Sequence, residues 1–167
     1  MISTFRIPTL KDSPAVYDLV DHCKPLDLNS RYAYMLVCTH FSETSIVYES
    51  DGEIKGFVSG YIDPRSDKTL FIWQVAVHSS LRGQGIASRM LTALLSRKNL
   101  SHIEYIETTI SPSNKASQNL FRHLTSEINT EMSVEPYFDK DLFGGEAHED
   151  EELYRIGPFN NKGEKQL

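Results

Sequence analysis

The stretch FIWQVAVHSSLRGQGIASRMLTALL, residues 71–95, decides how the rest of the chain is read. Phe71, Ile72, Trp73, Val75, Ala76 and Val77 leave only Gln74 polar, the composition of a strand covered on both faces. Ile86, Met90, Leu91, Leu94 and Leu95 then recur at helical spacing and give one apolar stripe. Between strand and helix lie Arg82, Gly83, Gln84, Gly85, Ile86 and Ala87. Glycines there let backbone amides come close to a ligand, and a helix N-terminus gathers unpaired N–H groups and positive dipole. The pattern predicts a seat for a diphosphate. Its structural alternative is a plain strand-to-helix bend. The glycine spacing matches neither the dinucleotide fingerprint nor a phosphate loop, because no Gly-Lys-Ser/Thr follows.

Ahead of this stretch, strands at 44–49 and 54–62 flank Asp51-Gly52, a strong hairpin signal. Gly56 and Gly60 in the second strand predict a bulge or the close approach of a neighbour. The chain opens with a short strand at 5–8. Asp12 or Ser13 then caps a helix with Pro14 in its first turn and Val16, Leu19 and Val20 on its apolar side. Pro25 ends that helix, and Asn29 or Ser30 caps another carrying Tyr32, Met35, Leu36 and Thr39 on one face. Beyond the central stretch, residues 103–110 form a strand with Ile106, Thr108 and Ile110 on one side and Tyr105, Glu107 and Thr109 on the other. Ser113 or Asn114 caps the next helix, whose apolar face holds Leu120, Phe121 and Leu124. A weaker strand at 132–134, an acidic loop and a final strand at 153–156 follow. The polar tail 160–167 is expected to be disordered. Together these elements predict one α/β (α+β) domain over 1–159, a central mixed twisted sheet with helices on both faces.

Composition narrows the function classes. With 167 residues, 40% hydrophobic and 24% charged, the chain can bury a full core without staples. The net charge of −6 offers no basic stripe, so no nucleic-acid partner is expected. No apolar run reaches membrane-spanning length and the N-terminus lacks a basic-then-apolar leader, so the expectation is a cytoplasmic protein without membrane contact. Cys23 and Cys38 lack metal-ligand spacing and read as buried small hydrophobes, and no metal site is expected.

Arg82, two residues, Gly85, one residue and Ala87 resemble the acyl-CoA signature of the GCN5-related N-acetyltransferase (GNAT) family. The resemblance extends through PLDLNSRYAY (25–34), CTHF (38–41), FVSGYI (57–62), WQVAV (73–77), RGQGIASRML (82–91), ETTISPSNKAS (107–117) and HEDEELYRIGP (148–158). These stretches, in order along nearly the whole chain, resemble the branch of the family that acetylates diaminobutyrate for ectoine. The resemblance implies a GNAT fold and acetyl-CoA as the acetyl-donor substrate, with no permanently bound cofactor. It also implies acetylation of the γ-amino group of L-2,4-diaminobutyrate, and a cytoplasmic homodimer serving osmoadaptation. The alternatives are another small amine such as a polyamine as acceptor, or a non-catalytic acetyl-CoA sensor.

The family pattern carries roles onto particular residues. Arg82, Gly83, Gln84, Gly85, Ile86 and Ala87 would wrap the pyrophosphate, while backbone N–H groups of Val75, Ala76 and Val77 would hold the thioester and pantetheine arm. Asn114 matches a CoA contact, or is a simple helix cap. Phe121 stands where the family often has a tyrosine general acid, and a phenyl ring gives no proton; Tyr32, or water, would replace it. For the amine, Asp27 and Glu152 are candidate anchors, with Asn29, Tyr32, Trp73 and Thr109 as further substrate contacts. Either Thr108 or Thr109, not both, faces the cleft. Trp73 either walls the substrate's aliphatic part or packs as a core residue. His148 is the candidate to take the amine proton through water. Glu149, Asp150 and Glu151 read as solvated charge, and the other five histidines as structural or exposed.

Overall fold

The computed structural model describes residues 1–144 and 147–161. Gly145 and Glu146 of the expected acidic loop, and residues 162–167 of the expected tail, lie outside them. Strand β1 (Ser3–Arg6) is followed by helices α1 (Ser13–Asp21) and α2 (Arg31–Val37). Strands β2 (Ile46–Ser50), β3 (Glu53–Ile62) and β4 (Thr69–Val77) lead into helix α3 (Ile86–Leu95). Strand β5 (Tyr105–Ile110), helix α4 (Lys115–Glu127) and strands β6 (Met132–Phe138) and β7 (Glu151–Ile156) complete the chain. Among the described residues the strands form one sheet in the order β1-β2-β3-β4-β5-β7-β6, parallel only between β4 and β5. That is the mixed sheet the sequence predicts.

Two apolar layers cover its faces. Val16, Leu19 and Val20 of α1 and Tyr34 and Val37 of α2 pack on Val47, Phe57 and Ala76. Ile86, Met90, Leu91 and Leu94 of α3 and Phe121 and Leu124 of α4 pack on Ile46, Val58, Leu70, Ile72, Ile106 and Ile156. Cys23 and Cys38 are both free and buried, and burial pushes the Cys38 thiol up to about 11. No helix of the described residues is long and apolar enough to cross a membrane.

The central strand changes faces half-way along. Leu70 and Ile72 belong to the α3/α4 layer, yet Ala76, an even number of residues further on, belongs to the α1/α2 layer. A side-chain period of two forbids this in a regular strand. The register supplies the reason: Ser59 pairs with Gln74 and Gly60 with Ile72, so Trp73 is an extra residue on β4. This β-bulge turns Gln74 and Ala76 toward α1 and α2. Gly60 makes the bulge sterically feasible, since a Cβ there would lie 2.9 Å from the carbonyl oxygens of both Phe71 and Thr44. Both neighbours are backbone and cannot swing aside. Gly60→Ala is therefore expected to part β3 from β4 and destabilise the fold by about 1–3 kcal/mol, read from the midpoint of urea unfolding.

The strand expected at 132–134 is longer: β6 runs to Phe138 with Pro136 inside it. As the sheet edge, β6 pairs only with β7, so a missing N–H on its outer side is tolerated.

Candidate active site

Strands β4 and β5 pair over three positions, Thr69 with Tyr105, Leu70 with Ile106 and Phe71 with Glu107, and then part. The Thr108 hydroxyl donates to the Ile72 carbonyl at 2.9 Å, a last side-chain tie where the backbone ladder stops. Past that tie, residues 73–77 present a backbone edge to a wedge-shaped cleft. Thr108 is thereby committed to the gap, and Thr109 faces the α1/α2 side.

At one end of β4 the chain makes a short 3-10 turn (Ser79–Leu81) and enters α3 through Gly83 and Gly85, at φ +76° and +73°. These left-handed conformations strain any L side chain. A Cβ on either glycine would meet nothing within 4 Å, so the space beside the turn is open. Helix α2 is capped by Ser30, whose Oγ accepts from Ala33 N, and α4 by Asn114, whose Oδ1 accepts from Ser117 N. No side chain caps α3. Its first amides remain free to bind an anion, with the dipole adding attraction.

The opposite lip of the cleft is acidic. His148 Nε2 lies 3.5 Å from Asp27 Oδ2, while its Nδ1 donates to the Glu149 carbonyl at 2.6 Å. That backbone bond, opposed by partial burial and aided by Asp27, raises the His148 pKa. Its ring stacks on Phe143, with centroids 3.8 Å apart. Glu151 is half-buried and its pKa is raised above the ordinary carboxylate range, chiefly by burial. The Thr109 hydroxyl and the nearby His148 pull it back, and Asp27 pushes it up again. A carboxylate so placed is a stronger base than an exposed one.

Behind this lip runs a buried polar chain. The Asn29 N–H donates to the Tyr34 hydroxyl at 3.3 Å, Tyr34 O–H donates to Gln74 Oε1 at 2.9 Å, and Gln74 Nε2 donates to the Asp27 carbonyl at 2.6 Å. The Ser59 hydroxyl accepts from Gln74 N at 3.1 Å. Burial raises the Tyr34 phenol, so it remains an O–H donor at working pH.

An amide-lined helix start at one end of a parted parallel strand pair, and carboxylates at the other, suit a CoA thioester and an amine. The sequence profile of the acetyltransferase (GNAT) family matches residues 13–125. The chain belongs to the GNAT acetyltransferase family. It is 48% identical over 159 residues to the L-2,4-diaminobutyric acid acetyltransferase of Virgibacillus pantothenticus, covering 95% of this chain and 100% of that one. The Halomonas elongata protein of the same name is 43% identical, over 92% and 80% of the two chains. A solved structure, the diaminobutyrate acetyltransferase EctA from Paenibacillus lautus in complex with its substrate L-2,4-diaminobutyric acid and coenzyme A, superimposes with a TM-score of 0.92. It is 43% identical and spans 95% of this chain and 96% of that one. Ard1 from Thermoplasma volcanium, at 17% identity and a TM-score of 0.73, shares the fold.

Within this GNAT chain the residues singled out by sequence fall into three groups. Val75, Ala76 and Val77 line the parted strand, and Arg82, Gly83, Gln84, Gly85, Ile86 and Ala87 form the uncapped turn. Asp27, Thr109 and His148 gather at the acidic lip, with Asn29 tied to them through Tyr34. Trp73 is the bulge residue and is 45% exposed, so it is not a core tryptophan. Tyr32, on α2, is 69% exposed, and its hydroxyl has no protein partner among the described residues. Two candidates stand apart. Phe121 is 2% exposed within the α3/α4 layer and offers a ligand almost no surface. Glu152 shares the strand face of Tyr154 and Ile156, which belong to that same layer, and so points away from the lip.

The run expected to be solvated charge is instead engaged. Glu149 accepts from the amide and hydroxyl of Ser113, Asp150 accepts from Lys140 N at 2.8 Å, and Glu151 sits against Thr109. Sequence reasoning also passed over Tyr34 and Gln74, the buried partners of the Asp27 loop. A separate groove of about 560 Å³ between α1 and the β2–β3 hairpin is not a rival site. Arg6 in its wall is already paired, donating to Asp12 at 2.8 and 2.9 Å and to Glu49 at 2.7 Å. Among the described residues no cluster of three or more His, Cys, Asp and Glu could hold a metal ion.

Proposed function

We infer that the protein transfers the acetyl group of acetyl-CoA to the γ-amino group of L-2,4-diaminobutyrate, giving Nγ-acetyl-diaminobutyrate in ectoine biosynthesis. The observation that carries this reading is the opposition of an uncapped, glycine-entered α3 to the Asp27–His148–Glu151 cluster across the β4/β5 cleft. The turn from Arg82 to Ala87 holds the CoA pyrophosphate, and the free edge of residues 73–77 aligns the pantetheine arm and offers N–H donors to the developing oxyanion. Asp27 pairs with the substrate's α-ammonium group. His148, with Nδ1 on the Glu149 carbonyl and Nε2 toward Asp27, orients the Asp27 carboxylate for that pairing. Trp73 covers the two-carbon side chain.

The γ-ammonium group has an ordinary pKa of about 10 and must lose a proton before it attacks. We assign that proton to Glu151 rather than to His148, since both His148 ring nitrogens are already engaged, by Glu149 and Asp27, while Glu151 lies against Thr109 on the lip side and Glu152 lies on the other strand face. The neutral amine attacks the thioester carbon, and a C–N bond forms. The tetrahedral intermediate then collapses, the C–S bond breaks and CoA thiolate leaves. Nitrogen sheds its second proton as the thiolate gains one. Phe121 is aprotic and buried, so that proton comes from solvent at the cleft mouth or from Tyr32, whose hydroxyl is unengaged.

We further propose a cytoplasmic homodimer. The edge strand β6 exposes Val134, Tyr137 and Phe138, at 46, 39 and 42%, an apolar set suited to a second copy and resolved by sedimentation velocity. The activity is tested by following thiol release from acetyl-CoA with diaminobutyrate, ornithine, lysine and spermidine. Diaminobutyrate is expected to lead in kcat/KM by about tenfold or more over each of the others, since one methylene is worth about 10–200-fold. Equal release with all four would overturn the substrate assignment, and none with any would leave only acetyl-CoA binding.

A further inference from the structure

We propose that Gln74 is a positioning residue that fixes the reach of the amine site, by tying the Asp27 carbonyl to the bulged strand that aligns the thioester. The inference rests on the reading of Asp27 as the amine anchor. Gln74 is the one polar side chain between Leu70 and Val77 of β4, and the Trp73 bulge is what turns it toward α2. It is 6% exposed, and each of its side-chain polar atoms is engaged. The amide orientation is dictated by its neighbours. The Asp27 carbonyl can only accept and so requires Nε2, which leaves Oε1 to accept from the Tyr34 hydroxyl. A flipped amide would set two acceptors, Oε1 and the Asp27 carbonyl, face to face.

The bonds enclose the loop 27–29 in a ring that passes through the strand. Its backbone ends are held at Asp27 O and Asn29 N, whereas the Asp27 side chain, beside His148, remains 80% exposed to a ligand. The same strand supplies the edge along which the thioester lies. One side chain thus sets the distance between carbonyl carbon and ammonium anchor, the quantity that separates a two-carbon diamino side chain from a three- or four-carbon one. An off-register anchor would still bind an amine, but with a misplaced terminal nitrogen.

The test compares Gln74→Met, which keeps length and removes both polar atoms, with Tyr34→Phe and Asp27→Asn. Leaving buried groups unpaired on both sides is expected to raise the diaminobutyrate KM of Gln74→Met by about 10–100-fold, while the acetyl-CoA KM stays within about twofold. The ornithine-to-diaminobutyrate ratio of kcat/KM should rise at least about fivefold, a change that general destabilisation would not produce. Tyr34→Phe should move both readouts in the same direction, and the double variant should fall short of additivity because the two share one chain of bonds. If Gln74→Met does not fold, Tyr34→Phe carries the same two readouts. Unchanged diaminobutyrate KM and selectivity, or an equal rise in both KM values, would overturn the proposal, provided Asp27→Asn raises the diaminobutyrate KM. If Asp27→Asn leaves that KM unaltered, the amine-site reading itself fails, and the proposal with it.

Discussion

Glu151→Gln is expected to lower kcat with diaminobutyrate by about 10²–10⁴-fold, the usual worth of a positioned general base. The acetyl-CoA KM should stay within about threefold, because the turn proposed to seat the diphosphate lies at the far end of β4. Glutamine keeps the size and can still meet the Thr109 hydroxyl, so the loss isolates the proton-accepting function. The pH dependence gives an independent check. Glu151 must be ionised to accept a proton, and burial raises its pKa. The acid limb of kcat/KM is therefore expected above the ordinary carboxylate range, and Glu151→Gln should remove it. The rise toward high pH, set by the substrate's own ammonium group, should persist in both enzymes.

Stability should move the opposite way. A carboxylate whose folded pKa is raised favours the folded state below its unfolded pKa, and that contribution is lost as pH rises through the folded value. At neutral pH the parent enzyme holds a charge that burial disfavours, and glutamine removes it. Glu151→Gln is thus expected to melt at the same temperature as the parent or higher at pH 7–8, the difference closing as the pH falls below about 4. A variant that is inactive, stable and indifferent to acid would place Glu151 in the chemistry. One that melts early would make it a packing residue instead.

How much of this was legible in the sequence differs from element to element. The turn at Arg82–Gly85 and the helix after it could be read directly, because positive φ demands glycine and the apolar period of α3 is unbroken. The face switch in β4 could not. Its run of apolar residues has no alternation to interrupt, so the extra residue at Trp73 leaves no trace except the stranded polar Gln74. Glu151 and Glu152 were separable in principle. In EELYRI, Tyr154 and Ile156 mark the covered side, which assigns Glu152 to them and Glu151 to the opposite face. Following the strand's period, rather than proximity to its start, finds the carboxylate on the lip side. For Phe121 the sequence carries two readings, the apolar stripe with Leu120 and Leu124 and the offset from Asn114, and the stripe decides its place in the core.

Gly85→Val is expected to raise the acetyl-CoA KM by about 100-fold, from two separable causes. Gly85 holds φ +73° as the residue before α3. A left-handed conformation costs an L residue about 1–2 kcal/mol, more when it is β-branched, which alone approaches a tenfold loss if the turn relaxes. The second cause is reach. Nothing of the protein lies within 4 Å of a Cβ built there, so a valine would occupy the open space from which a diphosphate approaches the α3 amides. Gly85→Ala separates the two, because it keeps most of the backbone cost with only one methyl in the way, and about a tenfold rise is expected for it. The diaminobutyrate KM should change by less than about threefold in both variants, since the acidic lip shares no residue with the turn. If the glycine served the bend alone, both variants would lose thermal stability while binding CoA as the parent does, and equilibrium titration of CoA against the folded variants would show it.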